Sequence, residues 1–310
     1  MPDIVISEFM DETAVVRLSQ AHETLYDPGL VDNPAALALA VASARSLIVR
    51  NRTEVRGALL EAGARLACVG RLGVGLDNID IEACEARSIA VYPATGANDL
   101  AVAEYVIAAA LSLLRGAYDA RDAVAAGAWP RQALVGRELS GKTMGLVGYG
   151  AIARETARRA AALGMRVVAF DPYLNPDASD WGATGRRGID DLLGEADVVS
   201  LHVPLTADTR HMISAETLGR MKPGAVLINA ARGGIVDEAA LAEALRADRL
   251  GGAALDVFEV EPLTGERGGM FDGLTNLILT PHIAGVTVES NVRVSHLIAD
   301  KVLEHLSAKT

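Results

Sequence analysis

Short apolar runs rich in β-branched residues alternate with helical segments along most of this chain, and this alternation limits its fold more than any other feature. In the first part of the chain the pattern predicts strands at 4–6, 47–49, 66–69 and 89–92, and helices at 11–20, 34–44, 53–62 and 79–87. Strands separated by helices in this rhythm are typical of a parallel sheet with helices on both faces. We therefore expect a small α/β domain.

A second series of the same kind lies further along the chain. Its predicted strands are 144–147, 167–170, 198–201, 225–229, 253–257 and 277–280. Its helices include 152–163 and 238–246, the second of which Asp237 can cap and Gly251 can stop. Between the two series, residues 99–128 keep apolar side chains at helical spacing with little polar surface, which predicts a buried helix. The second series predicts a dinucleotide-type sheet.

Charge and composition exclude several classes of function. The chain has 29 Lys and Arg against 40 Asp and Glu, a formal net charge of -11 that repels nucleic acids and anionic membranes, so we expect neither as a partner. Its most apolar stretch, residues 102–114, is too short to span a bilayer, and its start does not resemble a secretory signal, so we expect a cytoplasmic protein. Cys68 and Cys84 are the only cysteines and lack zinc-site spacing, so we expect no disulfide framework and no metal site.

A glycine-rich turn follows the strand predicted at 144–147. The run from Gly148 to Ala153, GYGAIA, matches G-x-G-x-x-A and opens a helix. Gly148 permits the tight turn, Gly150 lets backbone N–H groups approach a pyrophosphate, and the helix N-terminus favours its negative charge. Asp171 ends the next strand and is placed to accept the ribose hydroxyls. Because an acidic residue there repels a 2′-phosphate and no Arg follows it directly, the motif predicts NAD rather than NADP.

Three side chains suited to hydride-transfer chemistry follow successive predicted strands. They are Arg232, Glu261 and His282. Each has an ordinary loop or surface interpretation alone, but the carboxyl ends of parallel strands face one ligand-binding crevice, so we expect the three to meet beside the nicotinamide. Arg232 offers a planar fork for the carboxylate and carbonyl oxygen of a 2-keto acid. His282 can exchange a proton near neutral pH, and Glu261 can orient the imidazole and favour its charged form.

With these motifs, the sequence resembles the D-isomer-specific 2-hydroxyacid dehydrogenases over nearly its whole length. The matching segments are GRLGVGLDNID at 70–80, GYGAIA at 148–153, HVPLT at 202–206, KPG at 222–224, ARGG at 231–234, EP at 261–262 and TPH at 280–282. The resemblance implies an α/β chain with two Rossmann-like domains, a flavodoxin-like substrate domain (1–98 and 287–310) and an NAD-binding domain (99–286), with the active site in the cleft between them. It also implies a homodimer. Ala153 departs from the glycine of many relatives, which affects only the fine packing of its helix.

The resemblance also implies a set of site residues. Arg232, Glu261 and His282 are the implied catalytic residues. The implied cofactor-binding residues are Gly148, Gly150, Ala151, Ile152, Asp171, His202, Pro204, Thr209, Ala230, Arg232, Asp256, His282 and Gly285. The implied substrate-binding residues are Arg50, Arg71, Val74, Gly75 and Arg232, with Val74 and Gly75 presenting backbone N–H groups to the substrate carboxylate.

Two arginines point to a substrate with a second anion. Arg50 and Arg71 resemble the positions with which phosphoglycerate dehydrogenases bind phosphate, whereas the segments 6–12, 93–98 and 129–132 look more like the sulfolactate dehydrogenases of this family. The leading hypothesis is interconversion of (S)-3-sulfolactate and 3-sulfopyruvate. The alternatives are D-3-phosphoglycerate dehydrogenase, hydroxypyruvate or glyoxylate reductase and, from another class, an NAD-sensing binding module without turnover. The roles of Arg52, Trp129 and Arg131 stay open.

Overall fold

The strand and helix pattern of the sequence gives rise to two units. The computed structural model describes residues 1–308, apart from the side chain of Asp119. The first unit comprises Met1–Asn98 and the described residues from Val286 onward, and the second comprises Asp99–Gly285. Lys309 and Thr310, the last two residues of the segment 287–310 that we assign to the substrate domain from the sequence, lie outside the described residues.

Within residues 1–308 the strands are β1 (Ile4–Ile6), β2 (Thr24–Tyr26), β3 (Ser46–Val49), β4 (Cys68–Arg71), β5 (Ala90–Pro93), β6 (Thr143–Val147), β7 (Arg166–Phe170), β8 (Gly185–Arg186), β9 (Val198–Leu201), β10 (Val226–Asn229), β11 (Gly252–Leu255) and β12 (Leu277–Leu279). The helices are α1 (Glu12–Ala21), α2 (Pro34–Val41), α3 (Gly57–Ala62), α4 (Ile81–Ala86), α5 (Asp99–Arg115), α6 (Arg121–Ala125), α7 (Ala151–Ala162), α8 (Ile189–Glu195), α9 (Ala215–Arg220), α10 (Glu238–Arg246), α11 (Gly265–Gly268) and α12 (Val288–Ala308). Short 3-10 turns connect several of them.

The described strands of the first unit form a parallel sheet in the order β2-β1-β3-β4-β5, which is the flavodoxin-like order. Every residue of β1 and β3 is buried, as expected of parallel strands that helices cover on both faces. One face shares a hydrophobic core with α1 and α12, and the other shares a core with α2, α3 and α4. Helices begin where a side chain accepts from their first N–H groups, as at Asp11, Asn33 and Asp80.

The C-terminal helix α12 packs directly on β4 at Gly70. A Cβ atom at this position would lie 2.5 Å from Ile298 Cγ2 and 3.3 Å from Val302 Cγ2, so the missing side chain lets the helix approach the strand. The N–H of Asp11 also donates to the hydroxyl of Ser295 at 3.0 Å, which ties α12 to the start of α1. The last helix of the chain is therefore part of the first unit's core.

The described strands of the second unit form a larger parallel sheet in the order β12-β11-β10-β9-β6-β7-β8. The chain moves outward from β6 through β7 to β8, and then resumes on the other side of β6 with β9. The order reverses between β6 and β9, and in sheets of this type ligands bind in the crevice at the carboxyl ends of the strands at such a switch point. Asp237 caps α10, and Ser214 and Thr217 form a capping box at α9.

The longest described helices, α5 and α12, have 17 and 21 residues. Apolar residues of α5 share a core with α7 and with β6, β10 and β11 in the second unit. The other faces of α5 and α12 carry charged and polar residues. None of the helices in the described chain combines the length and apolarity needed to cross a membrane.

Several local predictions were wrong. The sequence pattern does not predict β2 and β8, which are three and two residues long, because runs this short show no periodicity. The helix predicted over 99–128 is shorter: α5 ends at Arg115, before Gly116 with φ 61°. Gly251 does not stop α10, because Asp248 already takes the left-handed conformation, with φ 51°. Asp is one of the residues that tolerates this conformation.

The close approach of α12 to β4 generates a prediction. Gly70→Ala should lower the free energy of unfolding by about 1–3 kcal/mol, because the added methyl group forces Ile298 or the helix to move. Urea unfolding of both proteins measures the difference. Gly219→Ala in α9 is the control: its Cβ would meet no atom within 4 Å, so it should leave stability unchanged or raise it slightly. Equal effects of the two substitutions would contradict the packing argument.

Candidate active site

The turn after β6 lies at the switch point of the second sheet. Gly148 has φ 87°, and its N–H donates to the carbonyl of Phe170 at 2.7 Å. The N–H of His202 donates to the carbonyl of Val147 at 2.7 Å, which brings the turn after β9 alongside. A Cβ atom on Gly148 would lie 2.6 Å from the His202 carbonyl oxygen. Both the backbone conformation and the close approach therefore require glycine here.

The N-terminus of α7 is open. Gly150 occupies its N-cap position, and no side chain within the described residues caps the helix. A Cβ atom on Gly150 would meet no atom of the described residues within 4 Å, so the space beside this N-cap position is open. The first N–H groups of a helix have no partner within it, and they favour a bound anion. The turn thus fits the pyrophosphate of a dinucleotide.

Asp171 follows β7, and backbone bonds orient its side chain. Oδ2 accepts from the N–H of Tyr149 at 2.9 Å, and Oδ1 accepts from the N–H groups of Tyr173 and Leu174 at 2.9 and 3.1 Å. A carboxylate offers about four lone-pair positions, so it keeps acceptor capacity for ribose hydroxyls. Asp171 is therefore held in place at the edge of a pocket of about 580 Å³.

Sequence reasoning missed two arginines of this pocket. Arg186 and Arg187 line it together with Asp171, and Arg187 Nε pairs with Glu195 at 2.6 Å. They reach the pocket because β8 pairs with β7, with Ala169 opposite Arg186. The expectation that no arginine directly follows Asp171 holds along the sequence, but the sheet brings two of them to the same pocket. No signal in the sequence indicated this arrangement, because β8 is only two residues long and is defined by its pairing with β7.

His202 and the loop after it lie beside the glycine-rich turn. His202 Nε2 is 3.0 Å from the hydroxyl of Ser200. Burial lowers the pKa of His202 to about 4, so the imidazole is neutral at physiological pH. Thr209 closes the loop: its hydroxyl donates to the carbonyl of Pro204 at 2.6 Å and accepts from the N–H of Thr206 at 2.8 Å. The predicted cofactor residues His202, Pro204 and Thr209 thus share one ordered loop.

Glu261 and His282 meet directly. His282 Nδ1 lies 2.7 Å from Glu261 Oε2, and Glu261 Oε1 accepts from the N–H of Phe258 at 3.0 Å. Burial alone would raise the pKa of Glu261. The hydrogen bonds from His282 and Phe258, and the charges of His282 and Arg232, outweigh burial and hold that pKa below its usual value. Glu261 is therefore an anion at neutral pH, able to fix the orientation of the imidazole.

Arg232 lies on the neighbouring loop after β10. The side chain of Asn229 shapes this loop, accepting from the N–H of Ala231 at 3.1 Å and donating to the carbonyl of Arg232 at 2.9 Å. A Cβ atom on Gly233 would lie 1.7 Å from the carbonyl oxygen of Phe258, so the loop touches the segment that carries Glu261. Ala230 is the first residue of this loop. The contact of Gly233 with Phe258 therefore brings the loop of Arg232 close to the Glu261–His282 pair.

Asp256 and Gly285 lie on the remaining loops of this edge. Asp256 follows β11 and is 1% exposed, with its carboxylate bonded to the loop after β12 rather than to solvent. Gly285 ends the second unit directly after that loop. Both predicted cofactor residues therefore neighbour the loop of His282.

In the first unit, Arg50 and Arg71 lie at the carboxyl ends of adjacent strands. Arg71 ends β4, whose partner on β3 is Val49, and Arg50 follows Val49 directly. Arg50 Nη2 donates to Asn291 Oδ1 at 2.9 Å, and its guanidinium lies 5.7 Å from the centre of the Phe9 ring. Burial lowers the pKa of Arg50, and the nearby Glu8 charge opposes this effect. The two cations therefore share one edge of the sheet.

A buried carboxylate that sequence reasoning missed holds the loop of Arg50. Glu8 is 5% exposed, and its Oε1 accepts from the N–H groups of Arg50 and Thr53 at 2.8 and 3.0 Å. Its Oε2 accepts from the N–H of Arg52 at 3.2 Å. The Arg52 side chain instead pairs with Asp32 at the surface. The loop is thus preformed, with Arg50 and Arg52 directed to different partners.

The loop after β4 carries two N–H groups suited to an anion. Within the described residues, the N–H groups of Val74 and Gly75 donate to no protein acceptor. Gly73 lies under the Arg71 side chain, because a Cβ atom there would lie 1.7 Å from Arg71 Nη1. The guanidinium of Arg71 is therefore held against the same loop that presents these N–H groups.

Comparison with known proteins agrees with this geometry. Residues 107–284 match the family model for the NAD-binding domain of the D-isomer specific 2-hydroxyacid dehydrogenases. The chain is 54% identical to an (S)-sulfolactate dehydrogenase of Chromohalobacter salexigens over 100% of both chains, and 37% identical to a D-3-phosphoglycerate dehydrogenase of Synechocystis over 99% of this chain and 54% of that one. A D-lactate dehydrogenase of Aquifex aeolicus, solved with NAD and lactic acid, superposes with a TM-score of 0.86 and 27% identity over 98% of this chain and 96% of that chain. This chain therefore belongs to the D-isomer specific 2-hydroxyacid dehydrogenases and is an NAD-dependent enzyme of that family.

Proposed function

We propose that this enzyme interconverts (S)-3-sulfolactate and 3-sulfopyruvate. The observation that carries the proposal is the pair of cations Arg50 and Arg71 at one edge of the first sheet, in a chain whose catalytic set is Arg232, Glu261 and His282. The name of a relative that is 54% identical over the full length supports the same substrate.

The chemistry assigns one task to each residue. Bound NAD would supply the acceptor for the hydride that leaves C2 when the hydroxyacid is oxidised. The hydroxyl proton goes to His282 as the C2 carbonyl forms, and Glu261 stabilises the resulting imidazolium. Arg232 binds the carboxylate and the oxygen on C2 through its planar fork. The N–H groups of Val74 and Gly75 donate to the carboxylate.

The stereochemistry is consistent with a D-specific family. In 3-sulfolactate the CH2–SO3 arm outranks the carboxylate in naming priority, whereas in lactate the methyl group ranks below it. The (S) isomer of sulfolactate therefore has the spatial arrangement of a D-hydroxyacid. Sulfonate and phosphate are both tetrahedral oxyanions that arginine can bind, so D-3-phosphoglycerate is the second candidate substrate. Hydroxypyruvate and glyoxylate, which lack the distal anion, are weaker candidates.

The first prediction concerns proton exchange. His282→Ala should lower kcat by about 10²–10⁴-fold while leaving the affinity for NADH within about twofold, because only the proton-transfer group is removed. Steady-state assays of NADH absorbance with 3-sulfopyruvate, and NADH titration by fluorescence, measure the two effects. His296→Ala, which removes a histidine hydrogen-bonded to Thr13 in the first unit, is the control and should keep wild-type kcat. Wild-type turnover by His282→Ala would remove His282 from the mechanism.

Glu261 gives a prediction on pH. Its pKa is held below the usual value, so its charge supports His282 at every pH above about 4.5 and is lost only as the pH falls through that lowered pKa. Glu261→Gln should therefore lower kcat by about tenfold at about pH 7, because the amide lacks the negative charge that stabilises the imidazolium. Rate profiles of both proteins from about pH 8 to about pH 5 measure the loss. Wild-type kcat in Glu261→Gln throughout that range would contradict the assignment.

The third prediction tests the distal anion. Arg50→Ala and Arg71→Ala should each lower kcat/KM for 3-sulfopyruvate by about 10–100-fold, because a charge-assisted hydrogen bond is lost, and should change kcat/KM for glyoxylate by less than about threefold. A panel that adds phosphohydroxypyruvate, hydroxypyruvate and pyruvate ranks the anions. Arg56→Ala is the control, since Arg56 pairs with Glu54 at the surface.

Each result of this panel has one meaning. An unchanged KM for every dianionic substrate in the Arg50 and Arg71 variants would overturn the second-anion proposal. A preference for phosphohydroxypyruvate over 3-sulfopyruvate would replace the substrate and keep the two arginines. An intact wild-type protein that binds NADH and turns over none of these acids would overturn every substrate candidate named above.

We also propose a homodimer, which the family resemblance implies. Large apolar side chains are exposed along the segment after α5, where Tyr118, Trp129 and Val135 are 72%, 76% and 75% exposed, and we assign the contact between two copies to this segment. Light scattering should give the mass of two chains, and Trp129→Glu with Val135→Glu should reduce it to one. Leu39→Glu, at a 78% exposed position of α2, should leave it unchanged. A monomeric wild type would overturn this proposal. The cytoplasmic location stays a prediction.

A further inference from the structure

The loop that carries His282 has an unusual backbone conformation. His282 has φ 52°, in the left-handed region that residues other than glycine seldom adopt. Its N–H donates to the carbonyl oxygens of Asp256 and Thr280 at 2.8 and 3.0 Å. A conformation of this kind persists only where the surrounding contacts over-determine it. The place of the imidazole therefore depends on what holds this turn.

Asp256 supplies most of these contacts. Its Oδ1 accepts from the N–H of Ile283 at 2.8 Å and from the hydroxyl of Thr280 at 2.6 Å. Its Oδ2 accepts from the N–H of Ala284 at 2.8 Å. With the bond from the His282 N–H to its carbonyl, Asp256 accepts from three successive N–H groups of the loop. The buried carboxylate fixes the backbone on both sides of the imidazole.

Tyr105 of α5 extends this arrangement by one residue. Its hydroxyl lies 2.6 Å from Thr280 Oγ1. A threonine hydroxyl has a single hydrogen, and Thr280 donates it to Asp256, so Tyr105 is the donor in the second bond. Burial raises the pKa of Tyr105, the bond to Thr280 opposes that effect, and the Asp256 charge adds to it, so the phenol keeps its proton at neutral pH. All hydrogens of this chain of bonds then point toward Asp256.

We infer that Tyr105 is a positioning residue for His282, acting through Thr280 and Asp256 on the loop 280–284. The inference rests on the proposed role of His282 in proton exchange. Glu261 fixes the imidazole at Nδ1, 2.7 Å away, and the Tyr105–Thr280–Asp256 chain fixes the backbone that carries it. A phenylalanine at position 105 would fill the same space without burying a hydroxyl, so the hydrogen bond is what the tyrosine adds.

Four variants test the inference. Tyr105→Phe and Thr280→Val each break the chain, and each should lower kcat by about three- to thirty-fold with KM for NADH within about twofold. Thr280→Ser keeps both bonds and should retain kcat within about twofold. Tyr92→Phe is the control: it removes a tyrosine hydroxyl that bonds His305 Nδ1 at 2.8 Å in the first unit, and should behave as wild type.

A readout without turnover separates this inference from the proposed function. Deuterium uptake by peptides covering 280–286 should be faster in Tyr105→Phe than in wild type and unchanged in Tyr92→Phe. Wild-type kcat and uptake in Tyr105→Phe would overturn the inference, as would a loss in Thr280→Ser equal to that in Thr280→Val. If wild type turned over no substrate, the proposed function would fail, and uptake alone would decide whether Tyr105 holds the loop. If Thr280→Val does not fold, the comparison of Tyr105→Phe with wild type decides whether the inference holds, because this variant keeps the aromatic ring.

Discussion

The parallel pairing of the strands is the constraint on which the rest of this structure depends. Each strand must be followed by a crossover before the next can pair in the same direction, so all carboxyl ends of one sheet lie along one edge. In the second unit this edge brings together the loops of Gly148, Arg232, Glu261 and His282, which are far apart in the sequence. In the first unit it places Arg50 beside Arg71. The parallel pairing therefore determines which side chains of the chain can meet, and these side chains carry its chemistry.

Carboxylates hold the loops at these edges in the same way. Glu8, Asp171 and Asp256 each accept from at least two backbone N–H groups of a functional loop. A carboxylate stabilises such groups strongly, because a hydrogen bond with an ionised partner is about twice as strong as a neutral one. These acidic residues contribute to the net charge of -11, yet their carboxylates accept from backbone N–H groups. In the function that we propose, Arg50, Arg71 and Arg232 then bind the anionic groups of the substrate.

The sequence allowed the alternation of elements, the cap of Asp237 and the placement of Arg232, Glu261 and His282 after successive strands to be predicted, because these depend on local patterns. Asp237 caps α10 as predicted, whereas α5 ends at Arg115 because local apolar spacing does not reveal where packing stops. The edge strand β8 and the arginines that it brings beside Asp171 could not be predicted, because a two-residue strand is defined by its partner and not by its own composition. Glu8 was missed for the same reason: the backbone N–H groups that donate to it belong to residues more than forty positions away in the sequence.

Strain and hydrogen bonding are linked at His282. A left-handed histidine costs about 1–2 kcal/mol relative to an ordinary conformation, so without compensation the loop would relax and carry the imidazole away from Glu261. The bonds from the N–H groups of Ile283 and Ala284 to the Asp256 carboxylate outweigh this cost, since each bond to a charged group contributes about 1.5–3 kcal/mol. The hydroxyl of Thr280 donates to the Asp256 carboxylate, and the hydroxyl of Tyr105 donates to that of Thr280. A buried network stabilises one geometry when all of its members are satisfied, and this is the physical basis of the positioning role that we infer for Tyr105.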